Sequence, residues 1–138
     1  MSQLPQSSDQ FLTPEECAEV DATLMPARDR FTARVSIYSL RSLKQIAQAA
    51  GITIDTLTEQ QIIDWVEQDP TLRPEDGFDP NFKRFFARLV ISSLRPLKQI
   101  AQEADMAIEA LTLSQVVSWF EKEAKARIDQ GEDSTFQG

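Results

Sequence analysis

The sequence predicts an all-α protein in which one helical unit occurs twice in tandem, as a pseudo-two-fold pair behind a short N-terminal helix. Three observations carry this. Apolar residues recur at spacings of three and four rather than alternating. Only 4 Gly and 7 Pro interrupt 138 residues, too few for the frequent turns of an all-β chain. Finally, a shift of 54 positions lays Arg30 to Glu67 on Arg84 to Glu121 without a gap, with 21 of 38 positions identical, and the tract SLRSLKQIAQ returns as SLRPLKQIAQ. A repeated unit stacks on its copy to bury a face that it cannot bury alone, so a compact pair is expected rather than beads on a string.

The elements follow in order. Residues 1–12 lack apolar periodicity and read as a disordered tail. Thr13-Pro14-Glu15-Glu16 is a helix start: a capping hydroxyl, Pro at the first helical position, and acid against the helix dipole. A short helix from Pro14 to about Leu24 is predicted, and residues 13–69 then hold this helix and the first repeat. Ile37, Leu40, Leu43, Ile46, Ala47 and Ala50 form one apolar stripe of a long helix from about Arg28 to Ala50. Gly51 suits the left-handed residue that closes it, and Ile54 and Leu57 of the following connector are placed to plug the core. Thr58 and Gln61 fit a capping box that opens a second helix, whose apolar face is Ile62, Trp65 and Val66.

Residues 70–80, rich in Pro and acid, read as an irregular linker. Residues 81–128 repeat the pattern: a long helix from about Phe82 to Ala104, Asp105 in place of the Gly, a Thr112/Gln115 capping box, and a face of Val116, Trp119 and Phe120. The equivalent Trp65 and Trp119 read as core anchors. Pro96 removes a backbone donor inside the long helix and predicts a bend or break near Ser92 to Arg95; with Ser42 able to cap a new helix at the matching place, each unit has two helices or three. Residues 129–138 read as a second disordered tail.

Composition narrows the function classes. No apolar run approaches the roughly 18 residues that span a bilayer, and the start MSQLPQSSDQ has neither a basic nor an apolar signal region, so neither export nor membrane insertion is expected. A single cysteine, Cys17, fits a reducing cytoplasm. With no His in the chain, Cys17 has no imidazole to activate it and no partner for a soft-metal site. Gly-rich phosphate loops and nucleophile–base pairs are absent from the sequence as well, so no catalytic residue, metal or cofactor is expected.

The net charge is −8, yet each long helix carries +4, leaving −16 on the rest of the chain. On the first helix Arg30, Arg34, Arg41, Gln45 and Gln48 fall within about 60° of one another at 100° per residue, opposite the apolar stripe. Arg84, Arg88, Arg95, Gln99 and Gln102 repeat the arrangement. These ten residues are the candidate binding site. Either the stripes are solvated and neutralised internally, with Asp64, Glu67 and Glu121 as candidate acids, or they form paired recognition faces, because Arg makes forked contacts with carboxylate and phosphate. An interaction or assembly module whose partner is an acidic protein surface is the leading reading. Nucleic acid bound by the two basic helices is the alternative, and a second copy of the chain is a further candidate partner.

Three resemblances accompany these motifs. The segment from Ile46 to Thr58, with Ala47, the turn residue Gly51, the β-branched Ile52 and the hydroxyl of Thr53, resembles the helix-turn-helix of bacterial repressors. That likeness implies a recognition helix from Ile54 to Gln61, which would carry Asp55 and Glu59. The unit from Leu43-Lys44-Gln45-Ile46-Ala47 through Ile62-Ile63-Asp64-Trp65-Val66 resembles the helix-extension-helix modules of the SAP and Rho N-terminal type, nucleic-acid binders that place basic residues where Glu59-Gln60-Gln61 and Leu113-Ser114-Gln115 stand. The pairing of LTPEECAEVD with SLRSLKQIAQ is similar to small helical proteins of cyanobacteria, a likeness that implies no activity.

Overall fold

A computed structural model describes residues 11–129. Five α-helices follow in order, α1 (Pro14–Asp21), α2 (Ala27–Ala50), α3 (Glu59–Glu67), α4 (Pro80–Ala104) and α5 (Leu113–Asp129), with no strand among the described residues. Single 3-10 turns lie at Ile54–Thr56, Pro74–Asp76 and Ile108–Ala110. The fold is all-α, and the two stretches matched in sequence carry the same order of long helix, 3-10 turn and shorter helix.

Caps set the boundaries. Thr13 Oγ1 accepts from Glu16 N at 3.2 Å while Thr13 N donates to Glu16 Oε1 at 2.9 Å, closing the capping box of α1. The same box opens α3 through Thr58 and Gln61, at 3.1 and 2.8 Å, and α5 through Thr112 and Gln115, at 3.2 and 2.9 Å. Gly51 ends α2 at φ +70°, and Asp105 ends α4 at φ +56°, a conformation that Asp tolerates better than most side chains. α1 stops three residues before the expected Leu24, because the Thr23 hydroxyl donates to Val20 O at 2.7 Å and the chain turns there.

Packing crosses between the units. α3 lies mainly against α4, and α5 lies mainly against α2, so the shorter helix of each unit covers the long helix of the other. One hydrophobic core results, running from Phe11 to Ala124. Ile54 and Leu111 are buried and Leu57 is half-buried, which makes the connectors core plugs as expected. Bonds between units tie these connectors down: Ile54 N donates to Glu109 Oε2 at 2.6 Å, and Lys44 Nζ donates to Leu111 O at 2.8 Å.

Several expectations are corrected. Phe11 and Leu12 are not tail: Phe11 is buried in an aromatic cluster with Tyr38, Phe78 and Phe86, ring centroids 5.1–6.3 Å away, and Leu12 packs against the core. Residues 1–10 and 130–138, assigned to the tails, lie outside the described residues. Residues 70–80, read as an irregular linker, are anchored on the core, since Leu72 and Phe78 are buried and Gly77 turns the chain at φ +100°. α4 is continuous through Pro96, so no third helix arises. Ser92, whose carbonyl would have paired with an amide at position 96, is exposed, and loss of that bond on the outer face leaves no buried orphan. Likewise α2 is unbroken at Ser42, which is buried instead of capping. Trp65 and Trp119 are half-buried and pack on the rim of the core.

Candidate functional site

The two Arg/Gln stripes have the same sequence spacing and opposite surroundings. On α2, burial is not confined to one stripe: Val35 through Leu40 are all buried, because α1, α4 and α5 surround this stretch. The three stripe arginines of α2 are drawn inward. Arg30 donates to Met25 O at 2.9 Å. Arg34, with a side chain 13% exposed, pairs with Asp21 at 3.4 Å. Arg41 makes a fork on Glu16, Nε to Oε2 and Nη2 to Oε1, each 3.0 Å, donates to Phe11 O at 2.8 Å, and places its guanidinium 5.5 Å from the Tyr38 ring centroid. Glu16 therefore serves twice, capping α1 and docking it on α2. Gln45 and Gln48 remain exposed.

On α4 the stripe faces outward. Arg84, 63% exposed, sits 3.8 Å from Glu67, and Lys83 donates to the carbonyls of Glu67 and Asp69 at 3.3 and 3.4 Å. Arg88, Arg95 and Lys98 are exposed and, among the described residues, form no salt bridge. Arg95, Lys98, Gln99, Gln102 and Glu103 border a shallow open cleft of about 590 Å³. The ten candidate residues thus do not form one surface: Arg30, Arg34 and Arg41 are internal fasteners, whereas Arg88, Arg95, Gln99 and Gln102 form an uncovered strip. Of the acids named as neutralisers, only Glu67 pairs with a stripe residue. Asp21 and Glu16 of α1 do the rest.

A second cleft, about 720 Å³, opens between α2 and α3. Gln45, Ile46, Ala49 and Ala50 form one wall, and Gln61, Asp64, Trp65 and Gln68 the other, with Arg41 and Asp69–Thr71 at one end. Tyr38 donates its hydroxyl to Asp69 Oδ2 at 2.6 Å; burial first, and then this bond and the Asp69 charge, push its ionisation well above the ordinary phenol range. The sequence pattern puts Trp65 in the core and Gln45 on a surface stripe; the structure brings both to one cleft. The only sequence signal for it is the retention of both residues, with matching Gln99 and Trp119, in the second unit.

The expected recognition helix does not exist as such. Ile54–Thr56 is a 3-10 turn, Leu57 is extended at φ −67° and ψ +140°, and Thr58 caps α3 afresh, so no single helix spans Ile54 to Gln61. Among the described residues no group of three or more His, Cys, Asp or Glu side chains could hold a metal, and no helix is long and apolar enough to cross a membrane. Cys17 is half-buried on α1.

Comparison with curated proteins and with solved structures finds no match. A family model does match, over residues 12–127, which includes all of α1 to α4 and nearly all of α5. The matched span takes in both the inward and the outward Arg/Gln stripe, and by it the chain belongs to the family described as NDH complex assembly factor CRR9.

Proposed function

We propose that this protein is a non-enzymatic assembly factor that acts on the NDH complex by binding an acidic surface of a protein component through the outer face of α4. The observation that carries the reading is the uncovered strip of Arg88, Arg95 and Lys98, with Gln99 and Gln102 beside it, on a molecule whose net charge is −8. Guanidinium groups without an internal acid are suited to forked contacts with a partner's carboxylates, and opposite charge at the contact speeds encounter and fixes register. The family match supports an assembly role and protein partners. Nucleic acid is less favoured, because the three cations of the strip neutralise few phosphates and the net negative charge of the molecule repels them.

The test uses cells that lack this chain. Fully assembled NDH complex, read on native gels, is expected to fall in its absence and to be restored by the wild type. A variant with Arg88→Glu, Arg95→Glu and Lys98→Glu should fold normally and fail to restore it. Full restoration by the triple variant would remove α4 from the mechanism, and unchanged complex in the deletion would remove the assembly role itself.

A further inference from the structure

The second unit contains a carboxylate clamp that the first unit leaves half-built. In the second unit, Trp119 Nε1 donates to Glu103 Oε1 at 3.0 Å, and Gln99 Nε2 donates to Glu103 Oε2 at 3.2 Å. An indole and an amide thus hold one carboxylate between α4 and α5. The shift of 54 positions places Gln45 on Gln99, Trp65 on Trp119 and Ala49 on Glu103. Both donors are retained in the first unit, and the acceptor is replaced by a methyl group. Among the described residues the Trp65 indole N–H and the Gln45 amide have no hydrogen-bond partner. Both line the 720 Å³ cleft between α2 and α3, where Trp65 is half-buried and Ala49 and Gln45 are exposed.

We propose that the Gln45–Trp65 pair is a binding subsite for the carboxylate of an acidic side chain on a partner protein, which takes from outside the place that Glu103 fills from within. A half-buried indole N–H gains most from an acceptor that comes with a shielding chain, and the apolar wall of Ile46, Ala49 and Ala50 receives the methylenes of such a side chain. The cleft's own carboxylates are already engaged. Asp69 accepts from Tyr38 and twice from Thr71, and Asp64 accepts from Gln60 at 2.8 Å. Arg41 lies at the same end, and its charge is matched by Glu16. This subsite is separate from the α4 strip, and its test does not depend on the role of that strip.

With two Trp in the chain, the two indole N–H resonances report the two clamps separately. The purified protein is titrated with N-acetyl-glutamate methylamide, with N-acetyl-glutamine methylamide as the neutral control at matched ionic strength. The Trp65 indole resonance is expected to move and saturate with the glutamate compound only, while that of Trp119 stays in place. Ala49→Glu, on an exposed helical position, should shift the Trp65 resonance without ligand and abolish its response. Glu103→Ala should make Trp119 responsive, and the Arg88→Glu variant should respond as the wild type does. An unmoved Trp65 resonance, an equal response to the glutamine compound, or an undiminished response in Ala49→Glu would overturn the proposal.

Discussion

Arg41 and Arg95 occupy matched positions of α2 and α4 within nearly identical tracts, yet one is a fastener and the other an open contact. The difference comes from what lies in front of them. α1 has no counterpart ahead of α4, and it is α1 that brings Asp21 and Glu16 to Arg34 and Arg41. With the single helix added at the N-terminal end, one basic stripe becomes internal structure, and the other is left available. A tract that is nearly identical at two places in the chain therefore need not have one role at both, because the role is set by the neighbours that each acquires.

The sharpest way to break the comparison is to separate the units. Since α3 rests on α4 and α5 on α2, neither residues 1–69 nor residues 70–138 can bury their long helix alone. Each fragment is expected to lose most of its helical circular dichroism and its cooperative melt, with partial recovery on mixing. Independently folded fragments would show that the crossed packing is dispensable.

The next contrast is between the matched arginines. Arg41→Ala removes the fork on Glu16 and the bond to Phe11 O, leaving Glu16, whose side chain is 13% exposed, without its cation. Because Arg41 itself is 31% exposed, the cost lies between the exposed and buried limits, about 2–3 kcal/mol in urea unfolding. Arg95→Ala should stay within about 0.5 kcal/mol. Equal costs would erase the distinction between the two stripes.

A comparable effect belongs to Tyr38, whose counterpart in the second unit is the exposed Ser92. Tyr38→Phe removes a 2.6 Å bond to a charged acceptor and should cost about 1.5–3 kcal/mol at neutral pH. Its folded-state ionisation is raised, so the stabilisation is complete below the unfolded value near pH 10 and is lost as pH rises past it. Wild-type stability should fall more steeply than that of Tyr38→Phe above pH 10. As the single Tyr of the chain, its phenolate absorbance reads the event directly, and titration at an ordinary pH in the folded protein would contradict the assigned burial.

Much of the fold was legible in the residues. Helical spacing, the three Thr caps, Gly51 and the 54-residue match placed all five helices to within a few residues, because each signal acts over one or two turns. What escaped depends on longer range. Phe11 is one aromatic residue in a polar stretch, and nothing local announces that Tyr38, Phe78 and Phe86 will surround it. α4 runs on through Pro96 because a missing donor matters little when the deprived carbonyl belongs to an exposed residue. The ten stripe residues can be picked out in the sequence, but not their division into paired and open arginines, for the burial of Val35 to Leu40 on α2 arises from helices of both units and from α1.

The crossed packing also bears on how the chain is made. α2 is complete at Ala50, but the last helix to pack on it, α5, runs to Asp129. At a synthesis rate of roughly 5–20 residues per second, the greasy middle of α2 waits on the order of 4 to 16 s for its cover. During that interval the nascent chain presents Val35 to Leu40 incompletely covered, apolar surface of the kind that holdase chaperones bind at the ribosome exit.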